Sequence, residues 1–168
     1  VAVRRQRQMC IRDRHDIVDW QYRIPSGGHR PVTLVFAREK NEKALKRALL
    51  NGQTVVWYDK KLIGKSDHLL PLINSSLEIE SAHYISATAI AHVVISNNSD
   101  APYTMRNQSE YDFYNGTNLI TIPPHGSAIV DVRTLTKKRK FELQFEVLNA
   151  LVMPDTHPLF RIVVRPKQ

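Results

Sequence analysis

The residues best equipped for chemistry crowd near the start of the chain, in HDIVDWQYRIPSGGHR, where His15, Asp16 and Asp19 are followed by His29 and Arg30. Imidazole and carboxylate together suit zinc, manganese or iron. A guanidinium beside a loop suits a phosphate oxygen. One histidine cannot hold a metal by itself, so His15 either draws ligands from elsewhere or is an ordinary residue near a terminus. Pro25–Gly28 reads as a loop, where polar groups are free to touch a ligand. Its Gly27-Gly28 pair lacks the spacing of a phosphate-binding fingerprint. His29 and Arg30 directly precede an apolar run, so marking the start of a strand is the plainer duty for them, as surface exposure is for Asp16 and Asp19.

The elements that must position these groups come next, in Pro31–Lys65. Val32, Leu34 and Phe36 share one side of a period-2 run, with Thr33, Val35 and Ala37 between them. Both faces of that run are apolar or β-branched, which predicts a strand buried on both sides, as inside an α/β sheet. Asn41 offers an N-cap, with Glu42 in the first turn. Leu45, Ala48 and Leu49 form a helical stripe, and Gly52 supplies the stop. Gln53–Tyr58 then reads as a strand that turns at Asp59-Lys60 toward Leu62-Ile63.

This wording carries a resemblance. The run HRPVTLVFAREKNEKALKRALLNGQTVVWYDKKLIGK, with its helix closing on Ala48-Leu49-Leu50-Asn51-Gly52-Gln53-Thr54, resembles the C-terminal element of PHP (polymerase and histidinol phosphatase) metal-dependent phosphoesterases. The likeness covers roughly His15 to Leu72, and the fuller stretch resembles a bacterial branch in which a short hairpin and a β-rich tail follow the barrel. It implies that residues 15–75 are the last strand-helix-strand of a PHP-type barrel. It also implies divalent metals in the full-length parent, a phosphoester substrate, and a missing N-terminal barrel in cis. His15 would stand where the histidine of the family's Asp-x-His ligand motif belongs. Asp13 matches the aspartate by position only. The use of several ions in such enzymes fits in-line attack on a phosphoester. A periplasmic or secreted bacterial protein would follow, with any signal peptide lying upstream.

Asp13 matches only by position because Arg4–Asp13, RRQRQMCIRD, resembles the translation of a sequencing-library adapter; residues 1–14 are therefore read as not native and set aside. A natural basic arm that binds nucleic acid is the alternative. The chain carries 24 basic and 16 acidic residues, +8. Removing residues 1–13, and with them Arg4, Arg5, Arg7, Arg12 and Asp13, leaves 20 and 15, or +5, and most of the case for nucleic acid goes with them. The one cysteine, Cys10, lies in the same stretch, which leaves no disulfide framework. No apolar run approaches the ~20 residues of a membrane span.

Beyond Lys65, Ser66–Ser75 predicts a short helix capped by Ser66 and limited by Pro71, with His68 exposed. From Leu77 the period becomes 2. Phe141, Leu143, Phe145 and Val147 alternate with Glu142, Gln144 and Glu146, a half-buried strand. Ala87–Ile95, Pro102–Arg106, Tyr111–Tyr114, Leu119–Ile122, Ala128–Val132 and Pro158–Val164 add others. Residues 76–168 thus predict an all-β antiparallel sandwich of immunoglobulin-like size, following the α/β segment.

Its polar and aromatic features admit plain readings. Tyr103, Tyr111, Phe113 and Tyr114 offer an aromatic platform or, as strand aromatics more often do, fill a core. Lys137–Lys140 is a basic turn, either phosphate-seeking or simply solvated. His83, His92, His125 and His157 have no close sequence pair, so no metal is expected among them. Asn74, Asn97, Asn107 and Asn115 fit the N-x-Ser/Thr pattern, which turn residues produce readily.

Two functions follow. In one, the chain is the C-terminal part of a phosphoesterase, inactive alone, with His15 as a metal ligand and Asp16, His29 and Arg30 as the remaining catalytic candidates. In the other, it is a non-catalytic β-sandwich module that binds glycan or protein. Strands separated from a barrel would expose open edges, which predicts association.

Overall fold

The computed structural model describes residues 31–114 and 116–167. The first strand, β1 (Val32–Val35), leads into α1 (Glu42–Leu50). Asn41 caps α1 as its sequence suggests, its side-chain oxygen accepting from the Ala44 N–H at 2.8 Å. Gly52, at φ 66°, ends the helical path in the left-handed region where a side chain would be strained. The chain then forms the hairpin β2 (Thr54–Tyr58) and β3 (Lys61–Gly64).

Here the expected barrel element gives way to a different arrangement. β1 pairs with β2 antiparallel, and β2 pairs with β3 antiparallel. β3 is closed on its far side by β10 (Ala150–Leu151), which runs parallel to it and comes from beyond most of the sandwich. The four strands form one sheet in the order β1-β2-β3-β10. No barrel fragment is evident among the described residues. What stands in its place is a small, mainly antiparallel sheet in a protein dominated by β-structure. The pattern misled because β1 is half-buried at all four positions rather than enclosed on both faces. One face carries Leu34, Val55 and Leu62 toward the core, whereas Ile63, on the other, is 41% exposed.

β3 approaches β2 closely at Gly64. A Cβ there would sit 2.8 Å from Val55 Cγ2 and 3.1 Å from the Thr54 carbonyl oxygen. The backbone atom cannot swing away, so Gly64→Ala should destabilise the hairpin by about 1–3 kcal/mol. Urea unfolding measures this, and an unchanged midpoint would mean the two strands lie farther apart.

The second helix, α2 (Ser66–Ser76), lays Leu69 and Ile73 against the core-facing side of this sheet. It departs from expectation at both ends. Lys65 rather than Ser66 is the N-cap and gives no side-chain bond, and Pro71 lies inside the helix instead of limiting it. His68 is half-buried and stacks on Phe36, with ring centroids 5.6 Å apart, instead of standing free in solvent.

α2 passes directly into β4 (Leu77–Tyr84), the first strand of the sandwich. β4 pairs with β5 (Ile90–Asn97), and β5 pairs with β8 (Ser127–Arg133), giving a three-stranded sheet. The facing sheet has the order β11-β9-β6-β7, from Leu159–Val164, Phe141–Val147, Tyr103–Asn107 and Leu119–Ile122. All pairings within the two sheets are antiparallel. The alternation expected in β9 is present, with Phe141, Leu143, Phe145 and Val147 buried. Tyr111–Tyr114 is the exception, because it contributes only an isolated bridge between Phe113 and Val132.

A single apolar cluster runs through both parts. Val55, Leu62, Leu69 and Ile73 join Ala91, Val93, Leu143, Phe145 and Phe160. β10 covers one rim of the hairpin at Leu62 and Ile63, while β1 forms the opposite edge of the sheet.

Candidate functional site

The residues singled out first, Asp13, His15, Asp16, Asp19, His29 and Arg30, all lie outside the described residues. Among the described residues, no three His, Cys, Asp or Glu side chains come together in a way that could hold a metal ion. These residues therefore do not supply a ligand set for the divalent metals that the PHP resemblance implies.

The later histidines are less solitary than their spacing suggested. Register puts His83 of β4 beside His92 of β5, and His92 beside Asp131 of β8. The two imidazoles lie 5.0 Å apart between centroids, and His92 Nδ1 is 2.7 Å from Asp131 Oδ1. His125 Nε2 pairs with Asp100 Oδ1 at 2.7 Å, and His157 Nδ1 meets the Ala150 carbonyl oxygen at 2.9 Å. Neighbours contributed by other strands are invisible to a scan for short spacings.

The aromatic platform resolves into core. Tyr103, Tyr111 and Phe113 are buried, with Tyr111 edge-on to Phe141 and Phe113 near Phe145. Only Tyr114 of the four is exposed, with the Arg133 guanidinium 4.9 Å above its ring. Asn97 and Asn107 spend their side chains on turns. Asn97 Nδ2 donates to the carbonyls of Ala101 and Pro123, and Asn107 Nδ2 donates to that of Tyr111. Asn74 similarly donates to Leu70 O, and Asn115 is outside the described residues.

The basic turn proves to be a shaped surface. Tyr84 Oη donates to the Lys138 carbonyl at 3.0 Å and accepts from the Lys138 N–H at 2.6 Å. Lys138 Nζ donates to Tyr111 Oη at 2.7 Å and lies 3.7 Å from Glu110. The bond to Tyr111 chiefly lifts the ammonium pKa above its ordinary value; burial works against it, and the charges of Tyr111 and Glu110 add to the rise. Lys137 Nζ reaches the Ser86 carbonyl at 3.1 Å, tying the turn to the β4–β5 connection. Thr134, at the start of the turn, is buried and donates to the Ala89 carbonyl at 2.8 Å.

Strand register shows which charges share this end. Arg133 pairs with Ile90 at the start of β5, and Phe141 pairs with Val164 just ahead of Arg165. Lys167 N–H bonds the Ala82 carbonyl. Arg133, Lys137–Lys140, Arg165 and Lys167 therefore collect at the pole remote from α2, where Glu110 and Asp112 are the acids beside Lys138 and Arg133. Glu78, Asp100 and Glu146 lie toward the opposite pole, where Glu78 pairs with Ser96 and Glu146 with Leu159.

A three-stranded sheet facing a four-stranded one, antiparallel throughout and with crossing connections, defines an immunoglobulin-like sandwich. Residues 77–163 match the family DUF5001, described as an Ig-like domain, and the chain belongs to that family. Among solved structures, it is similar to a two-domain protein from Bacteroides vulgatus ATCC 8482 containing a predicted PHP-like metal-dependent phosphoesterase. The match has a TM-score of 0.74 and 24% identity, covering 88% of this chain and 42% of that one. Residues 77–163 alone cannot supply that coverage, so the shared fold extends into the residues before the sandwich. The chain spans less than half the length of that protein. No curated protein matches the chain significantly.

Proposed function

We propose that this chain is the accessory end of a two-domain protein whose other part is a PHP-type metal-dependent phosphoesterase, and that its Ig-like sandwich is non-catalytic. The observation that carries the reading is the likeness to the two-domain protein, whose 88% coverage of this chain is more than the sandwich alone can account for. On this reading residues 15–75 join the two parts and residues 76–168 are the accessory domain. The metals, zinc, manganese or iron, and the phosphoester belong to the parent protein. His15 is the proposed contribution of this chain to the metal site, and Asp16, His29 and Arg30 are proposed to lie on its substrate side. Residues 4–14 are proposed to be adapter-encoded, which sequencing of the native transcript checks.

Family membership supports the second reading as well, in which the sandwich is a binding module for glycan or protein; the two are compatible within one protein. The test is a metal-dependent assay with bis(p-nitrophenyl) phosphate on the chain alone and on the product of the complete gene. The chain alone should show no turnover. The complete protein should be active, and its His15→Ala variant should lose both bound metal and rate. Turnover by the isolated chain, or a complete gene with no second domain, would sink the proposal.

A further inference from the structure

The most exposed large apolar side chain among the described residues is Leu135, 90% accessible, and it stands at the tip of the basic pole. Its backbone has φ 60°, a left-handed conformation that a leucine adopts only under strain. Thr136 N–H bonds back to the Thr134 carbonyl at 2.7 Å across it, closing a tight turn of the rarer, strained hand. The turn is anchored from below by buried Thr134 and by the Tyr84 clamp on Lys138. The fold thus holds an aliphatic side chain outward in a single strained geometry, with Arg133 on one flank and Lys137–Lys140 on the other. Ile85, in the connection beside Thr134, is 38% exposed, and Tyr114 is 53% exposed under Arg133.

We propose that this pole docks on an anionic phospholipid surface, with Leu135 entering the interfacial region and the surrounding Lys and Arg side chains meeting the headgroups. An apolar tip flanked by a surplus of cations, with Arg139, Lys140, Arg165 and Lys167 outnumbering Glu110 and Asp112, is what a peripheral membrane contact requires. A polyanion such as nucleic acid or a sulfated glycan would use the cations but would leave Leu135 with no partner. Tyr114 already carries Arg133 on its ring and offers little stacking surface. No described helix is long and apolar enough to cross a membrane. One leucine and a cluster of charges give reversible rather than permanent attachment.

The experiment is flotation of the full chain with phosphatidylglycerol/phosphatidylcholine vesicles, with phosphatidylcholine vesicles as the control. Leu135→Gly and Leu135→Asn both tolerate a positive φ, so each should keep or raise Tm while weakening vesicle binding by roughly tenfold. Arg139→Glu with Lys140→Glu should weaken it by more than tenfold, since each cation near such a surface contributes roughly fivefold. Raised salt should weaken the wild type in the same direction. The basic residues before position 15 are present in every variant and cancel from these ratios. Equal flotation with phosphatidylcholine alone would overturn the proposal, as would unaltered binding by either Leu135 variant or by the double charge reversal. Failure to float, combined with retention on heparin that ignores Leu135, would make the pole a polyanion site instead.

Discussion

Phe145→Ala should lower the unfolding free energy by about 3–5 kcal/mol, which is most of what a domain of this size has to spare. Phe145 is fully buried on β9, 6.2 Å from the Phe113 ring and 6.5 Å from that of Phe160. Those partners come from the β6–β7 connection and β11, so the ring joins three separate stretches of chain. Truncation removes that contact area and leaves a cavity that the rigid surrounding strands cannot close. Thermal unfolding should fall by roughly 6–20 °C. Phe145→Leu, which keeps much of the volume, should cost less than about 1.5 kcal/mol. Similar losses in the two variants would show that the ring's shape, rather than its bulk, is what the core needs.

Asn149→Ala should cost about 2–4 kcal/mol, although the residue is only half-buried. Its Oδ1 accepts from the Thr104 N–H at 3.0 Å, and its Nδ2 donates to the carbonyls of Lys60 and Pro102, both at 2.7 Å. Its own carbonyl accepts from the Leu62 N–H at 2.9 Å. The one side chain thereby ties the β2–β3 hairpin to the start of β6. Asn149→Asp retains the acceptor for Thr104 but presents a carboxylate to two carbonyl oxygens, so it should be no better than alanine. Hydrogen exchange separates this role from general destabilisation: the Leu62 amide should lose protection before the β9 amides do. Uniform loss across both would mean that Asn149 is not a joint.

The unequal visibility of these features in the sequence has a physical cause. Alternation along β9 is local, and each residue declares its face by its own hydropathy, so Phe141–Val147 was readable. The Asn41 cap and the Gly52 stop were readable for the same reason. Which strand lies beside which is not local. The wording of residues 31–65 pointed to a barrel, whereas the antiparallel β1–β2 register and the arrival of β10 are decided by partners far along the chain. His83, His92 and Asp131 meet only once β4, β5 and β8 are aligned. Leu135 looked like an ordinary residue before a run of lysines. Its exposure is a property of the turn that Thr134 and Tyr84 hold in place.

The parallel pairing of β10 with β3 also bears on synthesis. Leu62 finds its partner in Ala150, nearly ninety residues later in the chain. At about 5–20 residues per second, the ribosome leaves the outer rim of that hairpin open for roughly 4–18 s. During that interval the nascent chain offers an unsatisfied strand to any neighbour on the same message. Lys60 and Lys61, at the turn and first position of β3, put positive charge along that rim and make two copies repel one another while it waits.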